Sequence, residues 1–244
     1  MSKTTIPRGG ITADAIDGTL IADDAISEEH LDATAITGST ELATTPADTD
    51  EILISDAGTL KRIDFSHIKT SPYYVQLANV SISDGDSEEV VQSVFGSTYR
   101  NYLILLERVA VNTNSADLQL VTLKSDDSTA NEHTYGASYS NSSSYQNNWG
   151  GINSSNISLM VGQGSGAGKH VSGYFNFFEP NNTTDGVQRF TWHMSARKHD
   201  SANGYVIGGG NNATNSARTG FKIKCNSGTL FGGRIVVYGI TNPS

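Results

Sequence analysis

The stretch Tyr99-Arg-Asn-Tyr-Leu-Ile-Leu-Leu-Glu-Arg-Val109 contains an unbroken run of apolar side chains from Tyr102 to Leu106, bounded by polar residues. A short apolar run of this kind, rich in branched and aromatic residues, reads as a central strand with cover on both faces. Working outward, strand-like segments recur at Tyr73–Val80, Glu89–Val94, Leu118–Lys124, Ile157–Val161, Val171–Phe178, Phe190–Ser195, Tyr205–Gly208, Thr219–Cys225 and Gly233–Ile240. Turn signals separate them: Asp84-Gly85, Asn112–Asn114, Asp126-Asp127, Pro180-Asn181-Asn182 and Ser227-Gly228. Many short strands with Gly, Pro, Asn and Asp between them predict a mainly β fold, an antiparallel sandwich or jelly-roll-like head over residues 72–244. In the last strand, Ile235 and Val237 should face one way and Val236 and Tyr238 the other.

Composition agrees with this class. Only 36% of the 244 residues are hydrophobic and 17% are charged, with 25 glycines. Such a chain suits turns and strands better than helices. The net charge of −9 comes without a dense Lys/Arg cluster, so the signature of nucleic-acid binding is missing. No apolar run approaches 18 residues, so no membrane insertion is expected, and the N-terminus Met1–Gly10 lacks the apolar stretch of a signal peptide. Cys225 is the single cysteine and reads as a small core residue in a strand.

One region breaks the strand pattern. Ser125 to Asn156 sets Tyr135, Tyr139, Tyr145 and Trp149 among Asn, Ser and Gly. Two readings stand side by side. A long loop with rigid aromatics and adaptable amides, including Asn147 and Asn148, has the composition of a recognition surface. Equally, an ordinary pair of hairpins would use those aromatics to cover the core or an interface.

The first 70 residues differ in kind. Phe65 is their sole aromatic, too few for a globular core. Apolar residues fall every five positions through Ile11, Ile16, Ile21, Ile26, Leu31 and Ile36, within a ten-residue repeat. Five helical steps rotate a side chain by about 140°, and five strand steps place it on the opposite face. The chain must therefore turn within each repeat. A single copy has too little to bury, so the spacing points to several chains winding about a common axis, with these six residues forming the core of a shared stalk over residues 1–40. Next, Ile52-Leu53-Ile54, the turn Asp56-Ala57-Gly58 and Leu60–Phe65 read as a β-hairpin connector within residues 41–71.

The segment Ile11-Thr-Ala-Asp-Ala-Ile-Asp-Gly-Thr-Leu-Ile-Ala-Asp-Asp-Ala-Ile26 resembles the tandem decapeptides of tail-fibre and collar proteins of tailed bacteriophages. Asp50-Glu-Ile-Leu-Ile-Ser-Asp-Ala-Gly-Thr-Leu-Lys-Arg-Ile-Asp-Phe-Ser-His-Ile68 looks like a connector common in such proteins, and Gly228–Gly239 is similar to the glycine-rich close of appendage heads. The resemblance covers about residues 6–69 and brings no catalytic residues. It implies a homotrimeric, non-enzymatic virion protein, made in the bacterial cytoplasm. Its N-terminal stalk would join other tail or capsid proteins, and its head would bind a host-surface glycan. Two alternatives follow: an architectural head-fibre, collar or decoration protein touching only virion partners, or a glycan depolymerase.

Other constellations carry little chemistry. Gly162–Lys169 lacks the spacing of a phosphate-binding loop, and His170 stands where Ser or Thr would coordinate magnesium. The six histidines show no metal-ligand spacing and read as surface residues. Ser83–Glu89 is acidic without the positions of a calcium loop. No metal or cofactor is expected. Glu179 and Asp185, beside Pro180-Asn181, read as part of a turn.

Overall fold

A computed structural model describes residues 33–69, 73–126, 128, 132–141, 145–166, 168–184, 188–198, 203–212, 214 and 216–241. The chain divides into two compact units, with the boundary between Thr70 and Ser71.

In the first unit, one helical turn, α1 (Thr34–Thr37), precedes the hairpin of β1 (Glu51–Asp56) and β2 (Thr59–Asp64). Ala57 (φ 49°) and Gly58 (φ 81°) form its two-residue turn. Two successive left-handed residues match the twist of the flanking strands, which is why a type I′ turn closes hairpins of this length. The register pairs Ile52 with Ile63 and Leu53 with Arg62. Consecutive apolar residues in β1 thus send side chains to both faces. One face is left open, with Leu53 and Leu60 66% and 68% exposed, while Ile54 and Ile63 on the other are half-buried. Of the residues assigned to a stalk core, Ile36 is described and is 82% exposed; Ile11, Ile16, Ile21, Ile26 and Leu31 lie outside the described residues.

The second unit holds two antiparallel sheets sharing one core, the arrangement of a β-sandwich. Its strands are β3 (Tyr74–Ser81), β4 (Glu88–Val91), β5 (Asn101–Val109), β6 (Ala116–Leu123), β7 (His133–Asn141), β8 (Tyr145–Ser154), β9 (Ile157–Gln163), β10 (Val171–Phe178), β11 (Gln188–Arg197), β12 (Asn203–Asn212), β13 (Gly220–Cys225) and β14 (Arg234–Ile240). The large sheet runs β3-β14-β5-β10-β11-β12-β7-β8 and the small one β4-β13-β6-β9. Alternation fixes the packing. In β11, Phe190, Trp192 and Met194 point inward while Arg189, Thr191 and Ser195 face out. Ile235 and Val237 are fully buried opposite Leu106 and Ile104, and Tyr238 turns outward beside Leu103.

Aromatic rings tie the sheets together. Phe175 stacks on Phe190 (5.4 Å) and on Trp192 (6.3 Å), and Phe95 contacts Phe177 of the large sheet (5.3 Å) and Phe221 of the small one (5.9 Å). The Trp192 indole also donates from Nε1 to the carbonyl of Leu159 in β9 (3.2 Å). The β12 backbone must approach this ring closely, since a Cβ on Gly208 would lie 2.1 Å from it. Cys225 is a buried core residue, and burial pushes its thiol above the ordinary value.

The stretch from Ser125 to Asn156 is not one long loop. Its greater part is the hairpin β7–β8, which extends the large sheet beyond β12. The Asn/Ser/Gly composition concealed these strands because their pairing is set by the register with β12, from Gly204 opposite Asn141 to Asn212 opposite His133.

Candidate functional site

The hairpin location decides the fate of the aromatic surface expected there. Tyr139 is 3% exposed within the core, its ring tilted against Trp149 (6.2 Å) and capped by the Lys198 ammonium at 4.6 Å. Tyr135 packs edge-on against Trp192 (5.9 Å), and the Trp149 indole donates from Nε1 to the Ser158 carbonyl (3.1 Å). These rings join the core or its margin because they occupy the inward positions of β7 and β8. Trp149 keeps partial exposure, bordering a shallow depression of about 280 Å³ with Ala137 and Ile207. Tyr145, Asn147 and Asn148 lie on β8, with side chains outside the described set. Tyr139 is therefore a core residue and no part of an exposed recognition surface.

The structure places a better cleft at one end of the second unit. It has about 450 Å³ of space and is lined by Gly96, Ser97, Tyr99 and Arg100 on one side and by Glu179, Asn181, Asn182 and Thr184 on the other. The first wall precedes β5 and the second follows β10, strands that are neighbours in the sheet. Antiparallel pairing brings Asn101 opposite Phe178, so residues 100 and 179 must meet. They do so twice: the Glu179 amide donates to the Arg100 carbonyl (2.7 Å), and the guanidinium pairs with the Glu179 carboxylate. The Arg100 side chain is 69% exposed and the Glu179 side chain 27%, so the ion pair sits at the mouth.

Both walls are fixed from below. The Tyr102 hydroxyl accepts from the Gly96 amide and donates to the Gly96 carbonyl, each at 2.9 Å. Tyr99 packs directly on β14, where a Cβ at Gly239 would lie 2.5 Å from its ring. Glu179 adopts a left-handed conformation (φ 52°) and caps a turn in which its carbonyl accepts from the Asn182 amide (2.9 Å). The turn rests on Gln188, whose Nε2 donates to the carbonyls of Pro180 (2.7 Å), Asn182 (3.3 Å) and Ser216 (2.8 Å).

Gln188 belongs to a buried polar network. Its Oε1 accepts from Asn212 Nδ2 (3.0 Å) and Arg218 Nε (3.2 Å). The Arg218 guanidinium, 1% exposed, pairs with Glu132, whose carboxylate also accepts from Lys124 (2.6 Å) and Thr214 (2.5 Å). Burial alone would push Glu132 upward, but the hydrogen bonds from Lys124, Thr214 and Arg218 with the Arg218 charge outweigh it and bring its pKa to about 2. His133 is also buried, not at the surface as expected of the histidines. Asn212 donates its amide to Gln188, so its oxygen faces His133 and the His133 Nδ1 is the donor across 2.5 Å. Nε2 is then a buried acceptor with no partner among the described residues. Burial first, and then the Arg218 charge, depress the His133 pKa against the pull of Asn212 and Glu132.

Glu179 and the Pro180-Asn181 turn were legible in the sequence. Their pairing with Arg100 and Tyr99 was not, because it depends on strand neighbours far apart in the chain. The strongest signal was a turn cluster at the end of one strand and an Arg immediately before another. Asp185 lies outside the described residues.

A second feature occupies the outer face of the large sheet. Tyr174, Phe178, Tyr205 and Ile207 are 37–44% exposed there, beside the half-buried Leu103, Leu105 and Tyr238. Tyr174 stacks on His193 (4.9 Å), whose Nδ1 lies 3.1 Å from the Tyr205 hydroxyl. These apolar side chains share the sheet exterior with the polar Asn176, Arg189 and Thr191. Among the described residues, no group of three or more His, Cys, Asp or Glu side chains is placed to hold a metal ion. Comparison with protein families, curated proteins and solved structures finds no match to this chain.

Proposed function

We propose that this chain is a structural, non-enzymatic subunit of a tailed-phage appendage, a homotrimer whose stalk residues Ile11 to Ile36 share a common axis and whose head binds a glycan on the host surface. The observation that carries the reading is the unmatched apolar surface of the N-terminal unit. Leu53 and Leu60 share one face of the hairpin and stand more than 60% exposed. An isolated two-stranded hairpin is marginal in water. Equivalent hairpins from further copies would supply the missing cover, in line with the five-residue apolar spacing upstream.

Glu179 fits binding better than proton transfer. Its carboxylate is engaged by Arg100 and by Asn182, so it is held in place as an acceptor. The exposed apolar side chains on the outer face of the large sheet favour the second reading, an architectural subunit whose head touches only other virion proteins.

Light scattering on the full chain should give three times the 26.0 kDa chain mass. The double variant Leu53→Asp, Leu60→Asp should weaken that assembly while the head unfolds at its usual midpoint. A monomeric wild-type mass overturns the trimeric appendage. Locating the chain in intact particles, and adsorption of those particles to host cells, separates the receptor-binding from the architectural reading.

A further inference from the structure

We infer that the cleft between Tyr99-Arg100 and Glu179–Thr184 is the saccharide site of the head, and that it takes the end of an uncharged glycan through a pair of neighbouring ring hydroxyls. The inference rests on the reading of the head as a glycan-binding module, and it adds the site and the class of sugar.

The chemistry of the walls selects the ligand. A sugar ring has an apolar C–H face and a polar rim of adjacent hydroxyls, each both donor and acceptor. Tyr99 is the half-buried aromatic lining the cleft, with one side seated on the Gly239 backbone. Arg100 and Glu179 offer donors and acceptors side by side. The guanidinium contacts Glu179 through Nη2, and its other N–H groups have no partner among the described residues. A hydroxyl seated there donates to the carboxylate and accepts from the guanidinium, and two neighbouring hydroxyls match the planar fork. Asn181 adds an amide that has no hydrogen-bond partner among the described residues.

Charge decides between neutral and acidic sugars. The Arg100 cation is already neutralised by Glu179, so an incoming carboxylate would meet a carboxylate at the mouth. The net charge of −9 adds long-range repulsion against polyanions. The space of about 450 Å³ lies inside the range of roughly 300–1,000 Å³ usual for small-ligand clefts.

Preorganisation supplies an independent argument. Glu179 sits at φ 52°, a conformation unfavourable for a residue with a side chain. The turn holding it there is gripped at Pro180 and Asn182 by the buried Gln188, itself fixed by Arg218 and Asn212. A mere connector does not need five buried polar groups beneath it. A strained residue held this firmly beside a polar cleft is the arrangement expected where a ligand must find its partners in place.

The test uses the full chain and saturation-transfer NMR with methyl glycosides of glucose, galactose, mannose and N-acetylglucosamine, with sodium glucuronate as the acidic probe. At least one neutral glycoside should bind at millimolar concentration, and glucuronate should not. Arg100→Ala and Glu179→Gln should each weaken binding about tenfold or more, the size expected for a lost charged hydrogen bond. Asn181→Ala, which breaks no hydrogen bond among the described residues, should weaken it less while leaving the unfolding midpoint unchanged. Trp149→Ala should leave binding intact. No binding of any neutral glycoside, binding indifferent to all three cleft variants, equal binding of glucuronate, or loss of binding only in Trp149→Ala would each overturn the assignment. A wild-type trimer that binds none of the sugars removes the cleft and leaves the appendage reading standing, whereas a monomer that binds them does the reverse.

Discussion

Strands β1 and β11 are both well-formed, yet they solve opposite problems. In β11 every second residue is buried: Phe190, Trp192 and Met194 enter the core and their neighbours face out. In β1, Ile52, Leu53 and Ile54 follow one another, sending apolar side chains to both faces, and none is buried. Strand β5 shows what such a run needs. Tyr102, Ile104 and Leu106 fill the core, while Leu103 and Leu105 are partly covered by Tyr238, Val236 and Tyr174 on adjoining strands. An unbroken apolar run therefore signals cover on two sides. Strand β5 finds it between β14 and β10, and β1, in a sheet of two strands, does not.

The sharpest way to break this comparison is to remove the head's own cover. Trp192 is fully buried and its indole bridges the sheets to Leu159. Trp192→Ala should lose about 4 kcal/mol of stability in urea unfolding, combining the cavity left behind with an orphaned carbonyl. A loss below about 1 kcal/mol would mean that the sheets are not held by this aromatic stack.

Next in size is the charged pair beneath the cleft. Glu132→Gln leaves the buried Arg218 without its counter-charge and should destabilise the head by about 3 kcal/mol. The pH dependence follows from the same groups. The depressed Glu132 contributes stability that is present above its unfolded value of 4.5 and is lost as pH falls toward about 2. His133, also depressed, binds its proton more readily when unfolded, so stability begins to fall below its unfolded value of 6.5. Unfolding midpoints should thus be flat from neutral pH up to the unfolded thiol value of 9.0, above which the raised Cys225 thiol costs stability, and decline in two stages on acidification. The Gln variant should lack the lower stage, and a midpoint that rises on acidification would contradict both assignments.

How far the fold was legible is clearest from where the reading stopped. The core strands were visible because Leu, Ile, Val, Phe and Trp alternate or cluster in them between turn residues. Strands β7 and β8 were not, because the single-chain signal of Asn, Ser, Gly and Tyr is that of a loop. What makes them strands is β12, whose Gly208–Gly210 lets Trp192 and Tyr135 pack close to its backbone. The site was half legible. Glu179 and its turn stood out, but Arg100 lies 79 residues away, and nothing local ties the two. The charged pair of Glu132 and Arg218, separated by 86 positions, was equally hidden.

Trp149 tests this lesson at smaller scale. As a half-buried ring with one hydrogen bond to Ser158, its loss in Trp149→Ala should cost the head about 2 kcal/mol. The unfolding midpoint should move, as expected of a residue covering the core. Full stability in this variant would return Trp149 to the exposed surface.

The smallest effect belongs to the hairpin turn and has the opposite sign. Ala57 occupies a left-handed position at φ 49° without the side-chain oxygen that eases it for Asn, and Gly58 follows at φ 81°. Ala57→Asn would create the Asn-Gly pair preferred in type I′ turns and should stabilise the hairpin by about 1 kcal/mol. Nothing in the head should respond, since the turn belongs to the other compact unit. Hydrogen exchange reads the two units separately. Amides across Glu51–Asp64 should exchange about fivefold more slowly, the factor that corresponds to 1 kcal/mol, while those of β5 and β11 keep their rates. If self-association covers the hairpin, slowing should be greatest at protein concentrations where the chain is assembled, because a better-formed hairpin also presents Leu53 and Leu60 in their paired register. Equal slowing at every concentration would mean that the turn acts within one chain alone and that the exposed leucines meet no partner.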